Sequence, residues 1–348
     1  MESMAVLFRS NSGAKPNPVK GFSTALAMFL PLLVLTMLGQ RAFGVLVMTG
    51  ALLTSFGDVG TSSRTQTWLL GMTAVGGALM TALGRLIGGP WLVEVVEIFL
   101  VVFISGLLSV YGRVAAIMGL LLTISFVISL ANRGDPATAL PAAGGFLLGG
   151  AILMLFALLF IWLQSHRSTP RNDMRPNRPL PTRTTLTTQL TLASPLLRFS
   201  LLRAVGTAIA AGSGWIWGGQ PFYWAALTVI TCTQQDQRAL QMKALQNVIA
   251  TCLGALLAGV LIAGVQNALV LGLIVVAITF LAFTIKDLNY LLYFFFFTIL
   301  ILLLISIATS GQSLAIWRVV TILIGTGIAL VITFLDQMSF FERKVVSP

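Results

Sequence analysis

Twelve apolar stretches, most of them long, dominate this chain and leave it few ways to fold. They fall at 21–38, 41–56, 67–87, 92–110, 113–131 and 139–163, and again at 199–217, 221–234, 245–264, 267–284, 288–308 and 315–335. About twenty apolar residues wound as a helix cross the ~30 Å hydrocarbon core of a bilayer. Inside that core every backbone polar group must be satisfied internally, which restricts a spanning chain to helices or closed barrels. Only 9% of the residues are charged and 57% are hydrophobic, whereas soluble domains carry about a quarter charged residues. A soluble globular protein is excluded. The expected fold is all-α, a polytopic membrane protein of about twelve transmembrane helices. The stretch at 221–234 is short for a span, so a broken or re-entrant helix is expected there.

The polar segments divide the chain. Residues 1–20 form a polar, basic tail, 21–163 a first group of six stretches, 164–198 a basic linker rich in Pro, Thr and Arg, 199–335 a second group of six, and 336–348 a second tail. The linker has no apolar periodicity from which to build a core. The first apolar stretch contains Pro31 and lacks a convincing small-x-small cleavage site, so it reads as a retained span and not as a secretory signal.

Charge sets the expected orientation. The formal net charge is +11, yet the basic residues form no stripe on a polar surface, and no nucleic-acid partner is expected. They lie between apolar stretches, where Lys and Arg mark the cytoplasmic side. With the amino terminus inside and twelve crossings, 17 of the 21 fall inside, leaving Arg41, Arg85, Arg133 and Arg318 outside. Both termini and the linker are then cytoplasmic.

An internal repeat is visible between the two groups of six. Gly39-Gln40 recurs as Gly219-Gln220, Asp58 as Asp236, Gly77 as Gly254, and Gly149 with Gly150 as Gly325 with Gly327. Together these predict two parallel copies of a six-helix unit, with the pathway for function between the halves.

Ionisable residues inside spans are costly, and they are therefore the best functional clues. Arg85 ends the third stretch, and Glu94 and Glu97 follow on the fourth at a spacing that puts both carboxylates on one helix face. These three form either a structural Arg–Glu pair or a proton-coupling site, since two neighbouring carboxylates push one of the pair toward its protonated form. Arg203, a turn into its span, and Arg318, at the start of the last, offer permanently charged forks suited to a carboxylate substrate; the alternative is that they snorkel to the interface. Asp58, Arg64, Asp236, Arg238, Lys243 and Lys286 lie in or beside the inner loops, as an anion-gathering vestibule or as topology anchors. Tyr223, Trp224, Tyr290 and Tyr293 are either interfacial belts or ring-stacking positions along a path.

Catalytic machinery is not visible. The chain has no nucleotide-binding G-x-x-x-x-G-K-[ST] loop, no H-E-x-x-H and no G-x-S-x-G. Cys232 and Cys252 suggest no disulfide framework, and with His166 the lone histidine they make no zinc site. No enzyme activity, metal or cofactor is expected.

In the second half, Tyr223-Trp224 to Thr228, Lys243 through Asn247 to Thr251 and Gly254, Asn289-Tyr290 with Thr298, and Arg318 to Thr321 with Gly325 together resemble the fusaric acid resistance (FUSC) and aromatic acid exporter family. The resemblance covers the second group of six stretches, 199–335, and reaches the first group only through the repeat. It implies an inner-membrane exporter of aromatic or other organic acid anions, driven by the proton gradient. Its partners would be the lipid bilayer, a small organic anion, a periplasmic adaptor protein in some members, and further copies in a homo-oligomer. Plant malate channels carry a similar six-helix unit, which implies paired units around an anion path. On that resemblance Arg203, Lys243 and Arg318 match anion-facing positions, with Tyr223, Trp224 and Tyr290 beside the ring. Asn247 departs from the family, which commonly has an arginine there. The rival expectations are a passive organic-anion channel and a membrane scaffold whose basic linker holds anionic lipid or a soluble partner.

Overall fold

A computed structural model describes residues 15–58, 63–87, 90–132, 135–165, 194–216, 223–233, 237–265, 267–308 and 314–346. The described residues hold twelve α-helices and no strand. In chain order these are α1 (Pro18–Met37), α2 (Arg41–Ser55), α3 (Ser63–Leu86), α4 (Trp91–Leu107), α5 (Arg113–Ser129), α6 (Pro136–Ser165), α7 (Pro195–Ile216), α8 (Tyr223–Cys232), α9 (Gln237–Gly264), α10 (Ala268–Ile285), α11 (Tyr290–Ala308) and α12 (Leu314–Val346). Each falls on one of the twelve apolar stretches, and the protein is an all-α polytopic membrane protein. Seven helices, α1, α3, α4, α6, α7, α9 and α12, are long and apolar enough to cross a bilayer by themselves, and five are shorter apolar helices. The shortest is α8, whose 10 residues rise about 15 Å, half the hydrocarbon thickness.

Helix ends follow local chemistry. Asn17 caps α1 by accepting from the Lys20 amide at 3.1 Å, with Pro18 at the first helical position where its missing N–H costs nothing. At the other end Gly39 takes φ +74°. The amides of Gly39 and Gln40 return to the carbonyls of Thr36 and Leu35, closing two of the orphan acceptors before the immediate start of α2. Asn289 likewise opens α11, accepting from the Leu292 amide at 3.1 Å.

Inside the helices, many hydroxyls bond on their own turn. Thr73, Thr123, Thr207, Thr228, Thr279 and Thr298 each donate to the carbonyl four residues back. A side chain that settles its polar atom locally can be buried without a partner helix. Large aliphatic residues instead cover outward faces: Leu79, Leu155, Leu256, Val260 and Ile316 are each about two-thirds exposed. Faces of that kind are stable against lipid and unfavourable against water.

Two compact units result, and neither coincides with a half of the sequence. Of the described residues, the first joins those within 15–82, 137–165 and 245–319, and the second those within 83–136, 194–244 and 320–346. In the first, α1 lies against α2 and α10, and α10 against α11; in the second, α7 lies against α4 and α8, and α5 against α4. The division falls inside α3, α9 and α12.

Candidate functional site

Within the first unit, polar chemistry gathers where α1 begins, α2 ends and α10 turns into α11. Lys20 is buried on the first turn of α1, and its Nζ donates to the backbone carbonyl of Asp58 at 2.9 Å. The same ammonium stands 3.5 Å from the Asp58 carboxylate and 3.8 Å from that of Asp287. Lys286 completes the group from the turn between α10 and α11. Its Nζ sits 4.8 Å from the centre of the Phe56 ring and 5.8 Å from that of Phe283, over the negative faces of both. Burial, and then the positive charge of Lys20, push the Lys286 ammonium down to about 7, against the opposing pull of Asp58 and Asp287. Beneath it the rings continue inward: Phe56 meets Phe297 edge-on, Phe283 meets Tyr293, and Tyr290 stacks on Phe294.

A different cluster lies in the second unit. Arg203 is buried two turns into α7, and its Nη2 donates to the carbonyl of Ile230 at 2.9 Å. Ile230 belongs to the last turn of α8, where carbonyls run out of intrahelical donors and the helix dipole favours a cation. The Nε of Arg203 is also buried and meets no acceptor among the described residues. Lys243, half-buried near the start of α9, is close enough for Arg203 to repel it, and the Cys232 sulfur faces it from the end of α8. Two cations and one spare guanidinium donor thus share a small volume.

The same unit holds the three residues expected to pair around the turn after α3. Arg85 is buried, and the opposite charge acting on it is Asp135, beside the start of α6. Glu94 and Glu97 are half-buried on α4. Glu97 Oε2 is shielded from solvent and accepts no hydrogen bond among the described residues. An open apolar groove of about 630 Å³ runs between α4 and α7, lined by Trp91, Val95, Phe99, Val205, Ile209 and Gly212 among others.

The remaining expected residues are distributed as follows. Arg318 is buried in the first unit, as is Tyr293, while Tyr290 is half-buried there. Tyr223 and Trp224 open α8 in the second unit with their rings edge to face, and Trp224 is buried. Asp236 lies outside the described residues, and of Arg64 and Arg238 only the helical backbone positions are described. His166 and the rest of the linker through residue 193, with Arg133 and Gly219-Gln220, also lie outside them. Sequence reasoning placed Asp58 and Lys286 in one vestibule but missed Lys20 as the ammonium that ties Asp58 to Asp287. The one signal for it was its position one residue ahead of the first apolar stretch. The Ile230 carbonyl carries no sequence signal at all. Among the described residues no three His, Cys, Asp or Glu side chains are grouped to hold a metal ion.

Residues 209–332 match the model of a family described as fusaric acid resistance protein-like, a stretch that starts inside α7 and ends inside α12. The match contains Tyr223, Trp224, Lys243, Tyr290 and Arg318 and begins six residues after Arg203. No curated protein and no solved structure matches the chain.

Proposed function

We propose that this chain, whose residues 209–332 match the fusaric acid resistance protein-like family, exports small organic acid anions, aromatic acids among them, across a bacterial inner membrane. At the level of the family the match supports membrane transport or efflux. The narrower reading rests on one observation: Arg203 and Lys243 are neighbouring cations in an apolar protein, and Arg203 keeps a buried Nε–H that meets no acceptor among the described residues. Two like charges brought together out of water are costly, and a bound carboxylate relieves both. A guanidinium already held by one carbonyl presents its remaining donors in a fixed direction, which suits a planar anion.

In this reading the substrate carboxylate meets Arg203 and Lys243. Arg318, Tyr223, Trp224 and Tyr290 are the further proposed contacts. Glu97 takes up and releases the coupling proton, with Glu94 and Arg85 nearby on the chain. Asp58, Arg64, Asp236, Arg238 and Lys286 form the proposed cytoplasmic vestibule, and both termini face the cytoplasm in accord with the Lys and Arg distribution. The transport cycle needs no enzyme chemistry and no cofactor.

The test is transport in inside-out vesicles carrying an imposed pH gradient, with an aromatic carboxylate such as 4-hydroxybenzoate as probe. Gradient-driven uptake is expected to fall at least tenfold in Arg203→Gln and to lose its gradient dependence in Glu97→Gln. Unchanged uptake in Arg203→Gln overturns the anion site. Large electrical currents that ignore the pH gradient would identify a passive channel instead.

A further inference from the structure

The two compact units are assembled to the same plan from opposite parts of the chain. In the register of the internal repeat, α1 to α6 correspond in order to α7 to α12. The first unit takes the first, second and sixth helices of the amino-terminal copy together with the fourth and fifth of the carboxy-terminal copy. The second unit takes the first, second and sixth helices of the carboxy-terminal copy together with the fourth and fifth of the amino-terminal copy. The third helices are divided: α3 starts in the first unit and ends in the second, α9 starts in the second and ends in the first, and the larger part of each lies in the first.

Two close helix approaches recur as well. In the first unit, α1 crosses α10 at Gly21, where an added Cβ would run into the Thr284 hydroxyl and the amide of Asn17 reaches the Thr284 carbonyl at 3.0 Å. In the second unit, α7 crosses α4 where a Cβ on Gly106 would lie 2.6 Å from the Ser200 hydroxyl. Ser200 lies 179 residues after Gly21 and Thr284 lies 178 after Gly106, within the spread of 176 to 180 shown by the repeat. Each crossing therefore pairs a glycine with a hydroxyl, with the two exchanged between the first and the fourth helix. A second crossing, of the sixth helix on the second, also recurs. Gly149 abuts the Val47 carbonyl in the first unit, and in the second a Cβ on Gly325 would lie 2.5 Å from the Ala225 carbonyl. Small residues that let backbones approach this closely are how helices associate in lipid, where apolar burial gives little driving force.

We infer that the chain is a duplicated six-helix unit whose two copies exchange their fourth and fifth helices, so that the face made by the first, second and sixth helices of each copy is a docking surface for the other copy. The occupant is the fourth helix of the other copy, which meets the first helix at a glycine–hydroxyl crossing in each compact unit. The inference stands apart from the transport reading, since it uses no charged residue.

Two measurements on the full chain test it. In the first, Gly106→Thr is compared with the double variant Gly106→Thr/Ser200→Gly, which gives the second unit the side-chain arrangement of the first. The single variant is expected to lower the yield of monodisperse protein severalfold and the double to recover most of it. A double variant no better than the single overturns the equivalence of the crossings. In the second, Gly106→Cys/Ser200→Cys is made with Cys232 and Cys252 replaced by alanine and a protease site placed in the linker. Oxidation followed by cleavage is expected to leave both halves of one chain joined. Halves that separate, or cross-links that join different chains, overturn the exchange within a chain.

Discussion

Arg203 on α7 donates to the carbonyl of Ile230 in the last turn of α8, at 2.9 Å and away from solvent. The contact makes the arginine a C-terminal cap for a helix only 10 residues long. Under the proposed function, capping and substrate binding would draw on different donors of one side chain, so they would separate under substitution. Arg203→Lys keeps a charge for the carbonyl but loses the second donor direction. It is expected to raise KM for an anionic substrate about tenfold while lowering stability by no more than about 1 kcal/mol. Arg203→Met is expected to cost about 1.5–3 kcal/mol as well, the scale of a charged hydrogen bond left unmade. Thermal unfolding in detergent, read beside transport kinetics, checks both.

Lys20 binds three groups at once: the Asp58 carbonyl, the Asp58 carboxylate and that of Asp287. Its replacement by methionine leaves Asp58, with a side chain 20% exposed, without its ammonium. Loss of about 1–3 kcal/mol is expected, below the figure for a fully buried pair because Asp287 remains well solvated. Lys20→Met/Asp58→Asn should recover part of that loss. An equal melting temperature for the wild type and Lys20→Met would remove this group from the determinants of the fold.

The position of Lys286 gives a pH dependence with a definite sign. Its folded value is about 7, and an unfolded lysine titrates near ~10.4. Between those limits the unfolded chain binds more protons than the folded one, so this residue makes stability rise with pH. The cost of its charge is fully present below about pH 7 and is relieved toward pH 10. Lys20, Asp58 and Asp287 face the ammonium, with Tyr290 and Tyr293 on the adjoining helix. Lys286→Met is expected to flatten the rise of melting temperature between pH 6 and 9, and melting curves across that range provide the check.

Gly325 abuts the Ala225 carbonyl and the Thr228 side chain, with no room for a branched residue. Gly325→Val is expected to destabilise by about 1–3 kcal/mol through overpacking. The same change at Gly327, where a Cβ meets nothing within 4 Å, is expected to be nearly neutral. Thermal unfolding of the pair separates crowding from any general intolerance of valine in α12.

Hydropathy made the helices legible. The stretch read at 92–110 became Trp91–Leu107, and that at 245–264 became the later part of Gln237–Gly264, because the bilayer imposes one simple demand on every span. Which helices are neighbours was not legible. In the structure α1 adjoins α10 and α4 adjoins α7, and nothing in an apolar run names its partner. Glu94 and Glu97 are the acids nearest to Arg85 on the chain, but Asp135 acts on it across the fold. Arg203 found a backbone carbonyl, a group every residue carries and no side-chain pattern marks.

The interleaved make-up of the two units also governs synthesis. As the ribosome threads α1 and α2 into the membrane, α10, which will lie against α1, and α11, which joins the same unit, are still far downstream and untranslated. The nascent protein must hold those spans unclosed until almost the whole polypeptide has emerged, so maturation awaits its final third, and an early stop would strand an incomplete assembly for quality-control proteolysis.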